Sequence, residues 1–250
     1  PVSLHEEVPA FLATQGVNQG RVSEKLGLGG ASSLAEEVMV ARDLAIAEDT
    51  GATVVIQHIS SGRSVQLVRE AKARGVNATA ETCAQYFTFT EEELLKKGTL
   101  ARVNPPLRTE EDRQAILEAV LDGTLDCIVT DHAPHSLEEK AKPLPEAPSG
   151  MVGLETSLAA CYTALCLPGY LTVPQLIRKM TVAPSAVLGL PVSVNPGDRA
   201  DLMAFDPSEV WTVDPEKFRS KARNSVFAGE TLTGRVKLTI CGGKITHNML

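Results

Sequence analysis

Apolar and polar positions along the chain alternate between two periods. Four short runs, Pro1–Leu4, Thr53–Gln57, Asn77–Thr82 and Asp126–Thr130, read as strands, with the β-branched Thr53–Gln57 and Asp126–Thr130 as buried ones. Between them lie helical patterns. Ser33–Asp49 carries Leu34, Val38, Ala41, Leu44 and Ala45 on one face, with Ser33 as N-cap, Glu36 and Glu37 in the first turn and Gly51 as the stop. Ser64–Arg74 closes at Gly75. Thr90 is placed to cap Glu91–Lys97, and Thr109 to cap Glu110–Leu121. Strands alternating with helices predict a parallel sheet with crossover helices, an α/β fold.

Ser136–Pro148 breaks the pattern. It is charged, carries Pro143, Pro145 and Pro148, and reads as a long flexible loop. Helical character returns over Leu154–Leu165 and Val173–Leu188. Past Leu190 the texture becomes β. Ala200–Phe205, Val236–Ile240 and Lys244–Thr246 read as short strands, and Cys241-Gly242-Gly243-Lys244 as a hairpin turn. The division expected is therefore 1–190 for the α/β part and 191–250 for a small β element.

Composition narrows the function. Apolar residues make up 43% of 250, which is ordinary for a globular chain and excludes a disordered or fibrous one. No apolar run approaches membrane-spanning length. A net charge of −7 does not suit a phosphate backbone, so no nucleic-acid partner is expected. Five cysteines without a paired framework read as reduced thiols in a cytoplasmic protein. The N-terminus shows no basic lead-in of a signal peptide. Pro1–Leu4 already reads as a strand, so the expectation is a processed N-terminus or a piece of a longer chain.

Three predicted strands end in a side chain able to bind metal. His5 follows the first, His58 the second and Asp131 the last. A single His after a strand is ordinarily a hydrogen-bonded loop residue. Three such placements in one βα array point to a shared rim, where two imidazoles and a carboxylate would suit Zn²⁺. Asp131 lies in Thr130-Asp-His-Ala-Pro-His135, ahead of the long loop, a setting suited to acid–base work under a lid. A turn is the plainer reading of the same residues. Asn104, in Val103-Asn-Pro-Pro-Leu-Arg108, can offer both donor and acceptor to an amide-like ligand, although a Pro-rich connection explains it equally well. The glycines of Ser149-Gly-Met-Val-Gly-Leu154 either bring backbone N–H groups to a ligand or simply make the turn.

Taken in order, Asn104-Pro-Pro-Leu-Arg108, Thr130-Asp-His-Ala-Pro-His135 and Ser149-Gly-Met-Val-Gly-Leu-Glu155 resemble the dihydroorotases of the amidohydrolase superfamily. His5-Glu6-Glu7, His58-Ile59-Ser60 and Gly197-Asp-Arg-Ala-Asp-Leu202 resemble further segments of that family. The resemblance implies a (β/α)8 barrel with only its last four strands in this chain, over residues 1–190, plus part of a small β domain over 191–250. It implies reversible opening of dihydroorotate to N-carbamoyl-L-aspartate, in pyrimidine biosynthesis. His5 and His58 would hold one zinc ion. Asp131 would contact a second and shuttle the proton. Asn104, His135, Ser149 and Gly150 would bind substrate.

Some family features have no counterpart here. The first-strand His-x-His-x-Arg and the bridging carboxylate of the fourth strand are absent, so a second ion would need ligands from elsewhere. The resemblance therefore implies an N-terminal half or a second chain as partner, and no measurable turnover from these residues alone. A homo-oligomer is compatible with the sequence. Cys83-Ala84-Gln85-Tyr86 leans toward allantoinases, so an allantoinase or hydantoinase is the alternative. A non-catalytic homologue acting as a scaffold is a third reading.

Overall fold

The computed structural model describes residues 1–190 and 192–250. Pro191, where the sequence places its boundary, lies outside the described residues. The chain packs as two compact units, one of residues 1–157 with 215–226, the other of 158–214 with 227–250.

The first unit is built on four parallel strands, β1 (Val2–Leu4), β2 (Val54–Ile56), β3 (Ala78–Cys83) and β4 (Cys127–Val129), paired in that order. Registers such as Leu4↔Ile56, Ile56↔Ala80 and Cys83↔Val129 keep the strand C-termini along one edge. The helices of this unit are α1 (Arg21–Lys25), α2 (Leu34–Thr50), α3 (Gly62–Ala73), α4 (Ala84–Thr88), α5 (Glu93–Lys97), α6 (Glu110–Asp122) and α7 (Leu137–Lys140). Ile56, Ile59, Val68, Ala80, Ile116, Val120 and Leu125 are sealed from solvent between helices and sheet. This alternation matches the amidohydrolase-type α/β architecture expected.

Several terminal signals act as read. Gly51 takes the left-handed conformation at φ 70° after α2, and the Thr109 hydroxyl accepts from the Asp112 amide at 3.2 Å. Others do not. Ser33 makes no side-chain cap; the Ser32 hydroxyl, at 3.3 Å from the Leu34 amide, takes that role. The helix expected from Glu91 begins at Glu93, without a Thr90 side-chain cap. Ser136–Pro148 is not a plain loop. Ser136 and Glu139 form a reciprocal capping box that starts α7.

In the second unit, α8 (Ser157–Cys161, its first residue in the sheet unit) runs into a π-helical turn, Tyr162–Cys166. Then α9 (Val173–Ile177), a second π turn (Arg178–Val182) and α10 (Ala183–Leu188) follow. Each π turn holds a threonine whose hydroxyl takes the carbonyl four residues back, Thr163 to Ala159 and Thr181 to Ile177, both at 2.7 Å. The β part is an antiparallel sheet of β5 (Leu202–Thr212), β6 (Thr231–Cys241) and β7 (Lys244–Asn248), with Gly242-Gly243 turning the last hairpin. Residues 158–190 group with these strands because Thr163 exchanges hydrogen bonds with the backbone of Thr233 and Tyr162 packs edge-on against Phe205.

Candidate functional site

The parallel register delivers three side chains to the C-terminal edge of the sheet. His5 leaves β1, His58 follows β2 by two residues, and Asp131 follows β4 by two. His58 at φ 32° and Asp131 at φ 45° are the non-glycine residues with positive φ among those described. Such backbone costs about 1–3 kcal/mol per residue and persists only where surrounding structure imposes it.

The two imidazoles meet. His5 Nδ1 stands 3.0 Å from His58 Nε2, with the rings edge-to-face. Burial holds the His58 pKa below its usual value and the nearby His5 adds to this, against the opposing pull of Asp131 and Glu36. A neutral ring keeps a lone pair for a ligand. The other nitrogen, His58 Nδ1, is buried without a hydrogen-bond partner. Two nitrogens bound to one tetrahedral zinc ion lie about 3.3 Å apart, close to the separation here. The pair therefore fits a shared metal ion.

Asp131 lies near enough to act electrostatically on His58, Glu81 and Tyr86. Glu81, on β3, has its pKa raised to about 7 by burial and by Asp131. Among the described residues, no three His, Cys, Asp or Glu side chains form a ready-made metal-binding group. Thus two of the three expected ligands converge, and the third shares their electrostatic neighbourhood without completing a trio.

The remaining candidates fall into two linked sets. Asn104 Nδ2 donates to Glu7 Oε2 at 2.7 Å, and Glu7 lies 3.9 Å from His5 Nε2. Asn104 Oδ1 is buried with no partner. Tyr86, the last residue of the Cys83–Tyr86 segment that leans toward allantoinases, donates its hydroxyl to the Pro105 carbonyl at 2.7 Å. In the second set, His135 Nε2 is 3.0 Å from the Ser149 carbonyl. Gly150 sits at φ 129°, where a Cβ would fall 2.6 Å from Ala133 Cβ and 3.1 Å from His135 Nε2. His132 accepts from the Gly153 amide at 3.1 Å.

The 136–148 segment, expected to be flexible, is held by two buried cations. Lys140 Nζ donates to the carbonyls of Thr99 (3.0 Å), Arg102 (3.1 Å) and Pro148 (2.8 Å). Arg102 donates to the carbonyls of Gln15, Leu144 and Ala147. Sequence reasoning passed over Lys140, Arg102, Glu7 and Asn224. The capping box around Ser136 was the one local signal that could have revealed α7 and, with it, an inward lysine.

The amidohydrolase family model matches residues 22–246. The dihydroorotase of Clostridioides difficile is 51% identical over 249 residues, 99% of this chain and 59% of that protein. The dihydroorotase of Clostridium acetobutylicum is 49% identical over 248 residues, 99% of this chain and 58% of that protein. Among solved structures, an L-hydantoinase (dihydropyrimidinase) from Arthrobacter aurescens superposes with a TM-score of 0.83 at 27% identity, covering 88% of this chain and 50% of that one. A dihydropyrimidinase from Brevibacillus agri gives 0.87 at 21% identity, over 99% of this chain and 56% of that one, a likeness of fold alone. The chain spans somewhat over half the length of the relatives it matches.

Proposed function

This chain belongs to the amidohydrolase family, and on that footing we propose that it is the C-terminal portion of a zinc-dependent dihydroorotase. The substrate pair is dihydroorotate and N-carbamoyl-L-aspartate, and the setting is pyrimidine biosynthesis in the cytoplasm. The observation that carries this reading is the meeting of His5 and His58 at the ends of neighbouring parallel strands. β1 to β4 are then the last four strands of a (β/α)8 barrel over residues 1–190, and the antiparallel strands are part of the small β domain over 191–250. An N-terminal half, or a second chain, supplies the rest. β1 has one neighbouring strand among the described residues, and Val2 on it is 56% exposed, as an edge awaiting a partner would be.

His5 and His58 would hold one zinc ion, and Asp131 would contact a second whose other ligands lie outside this chain. Zinc bound there lowers the pKa of water and polarises the amide carbonyl. Asp131 takes a proton from the attacking water and returns it to the ring nitrogen as the amide bond opens. Asn104 offers its unpartnered Oδ1 to a substrate N–H, while Glu7 fixes the amide's other end. His135 and the Ser149–Gly150 backbone line the substrate.

The test is turnover by the full-length protein of dihydroorotate, hydantoin and allantoin, together with its zinc content. Turnover of dihydroorotate, with loss of zinc in the double variant His5→Ala/His58→Ala, is expected. Turnover of allantoin or hydantoin alone would shift the assignment to those enzymes. A zinc-free full-length protein without turnover would favour a scaffold.

A further inference from the structure

The segment 215–226 contributes one side chain that touches both substrate-lining stretches. Asn224 is fully buried. Its Oδ1 accepts from the His135 amide at 3.1 Å. Its Nδ2 donates to the carbonyls of Ala133 and Gly150, each at 3.0 Å. Its own carbonyl accepts from the Val152 amide at 2.8 Å. Both amide hydrogens and the amide oxygen are in use, so the side chain has one satisfied orientation. Turned over, it would set N–H against N–H and oxygen against two carbonyls. No other side-chain type of this size supplies two donors and an acceptor in that plane.

We propose that Asn224 is a positioning residue for substrate binding, fixing the separation between the His135 segment and the Ser149–Gly150 segment. The proposal rests on the dihydroorotase reading for the identity of the substrate. None of these hydrogen bonds reaches His5, His58 or Asp131, which follow β1, β2 and β4. Its loss should therefore weaken substrate binding far more than it slows the chemical step or removes zinc.

The test uses the full-length protein with Asn224→Asp and Asn224→Ala. Asp keeps the shape and the acceptor but, when ionised, faces two carbonyl oxygens. Once protonated it can donate to one of them, and a buried carboxyl facing carbonyls takes up that proton readily. The expected result for Asn224→Asp is a KM raised about tenfold at pH 8, partly recovered at pH 6, with kcat within about threefold and zinc content unchanged. Asn224→Ala should raise KM without the recovery at pH 6. Amide hydrogen exchange gives a readout independent of turnover, and faster exchange confined to 132–136 and 149–153 is expected in both variants. A KM within twofold of the parent at both pH values, or a lower kcat at constant KM, would overturn the proposal. If the parent protein fails to turn over dihydroorotate, the substrate assignment fails instead. Exchange then decides the positioning role, and unchanged protection in the two segments would refute it.

Discussion

Glu6 gives the sharpest physical test of the sheet unit. The residue follows His5 and is buried, and neither carboxyl oxygen has a hydrogen-bond donor. Facing it are Asp43, which is paired with Arg42 at 2.6 Å, and Glu36. Burial comes first, then the Asp43 charge and a hydrogen bond between the two carboxyls that needs a proton on one of them; together they raise the Glu6 pKa from 4.5 to about 8. The folded protein therefore holds a proton that the unfolded chain releases near pH 4.5. Between that pH and about 8 the folded state binds more protons, so stability falls as pH rises through the window.

Each pKa unit between folded and unfolded forms is worth about 1.4 kcal/mol. Sharing of the proton with Asp43 and relaxation around the pair reduce the full effect. A loss on the order of 2 kcal/mol between pH 5 and 7.5 is expected. Glu6→Gln keeps the shape of the protonated acid and its ability to donate to Asp43, but cannot ionise. Urea unfolding of the full-length protein at pH 5, 6, 7 and 8 should show the two proteins matched at pH 5. By pH 8 the variant should be more stable by that same amount. Parallel stability curves across the range would refute a buried, protonated Glu6.

Three further outcomes are expected. Gly150→Ala places a Cβ against Ala133 and His135 at a φ that L-residues rarely adopt, so it should cost about 2–4 kcal/mol in thermal unfolding, and an unchanged midpoint would contradict the close approach. Lys140→Met removes charge-assisted bonds to three carbonyls and leaves that of Pro148 without a donor, while those of Thr99 and Arg102 keep the Arg102 and Gly150 amides, and it should cost about 1–3 kcal/mol. Burial and Arg102 lower the Lys140 pKa to about 8, so the unfolded chain binds more protons between about 8 and 10.5; wild type should gain on Lys140→Met as pH rises there, and equal slopes would count against it. On the proposed role of Asp131, Asp131→Asn in the full-length protein should slow turnover about 10²–10⁴-fold with the fold intact, and a loss of only a few-fold would mean that another group moves the proton.

Much of the sheet unit was legible because its signals are local. β-branched runs, Gly51 and Thr109 act through their own backbone, and each does in the fold what its residue type dictates. His5, His58 and Asp131 could be picked out because each ends an apolar run. What could not be read was partnership across long separations. Asn224 bonds to residues about ninety positions earlier, and Lys140 to carbonyls about forty positions away. The partners of neither are marked in the sequence, because a backbone carbonyl has no residue type to announce it. Thr163 and Tyr162 are the same case in the second unit, bonding to Thr233 and packing on Phe205 across long stretches of chain.

Glu36 shows how the two kinds of information meet. In the sequence it is a first-turn acid of α2, placed for the helix dipole. In the fold its buried carboxylate accepts from the amides of Ser60 and Ser61 and from the Ser60 hydroxyl. Arg108 reaches the same hydroxyl at 3.2 Å and is itself held by Asn18 and the Ala31 carbonyl. These bonds fix the turn immediately after His58, whose φ of 32° would otherwise relax. On β4 the equivalent restraint is steric, with Gly153 lying so close to Thr130 that a Cβ there would meet its carbonyl at 2.8 Å. Residue type thus selects the two strained positions as chemically able, and distant buried contacts supply the restraint that keeps them aimed. If His58 holds metal as proposed, a substitution at Glu36 or Arg108 should accordingly disturb metal binding through it while leaving His5 and His58 themselves unchanged.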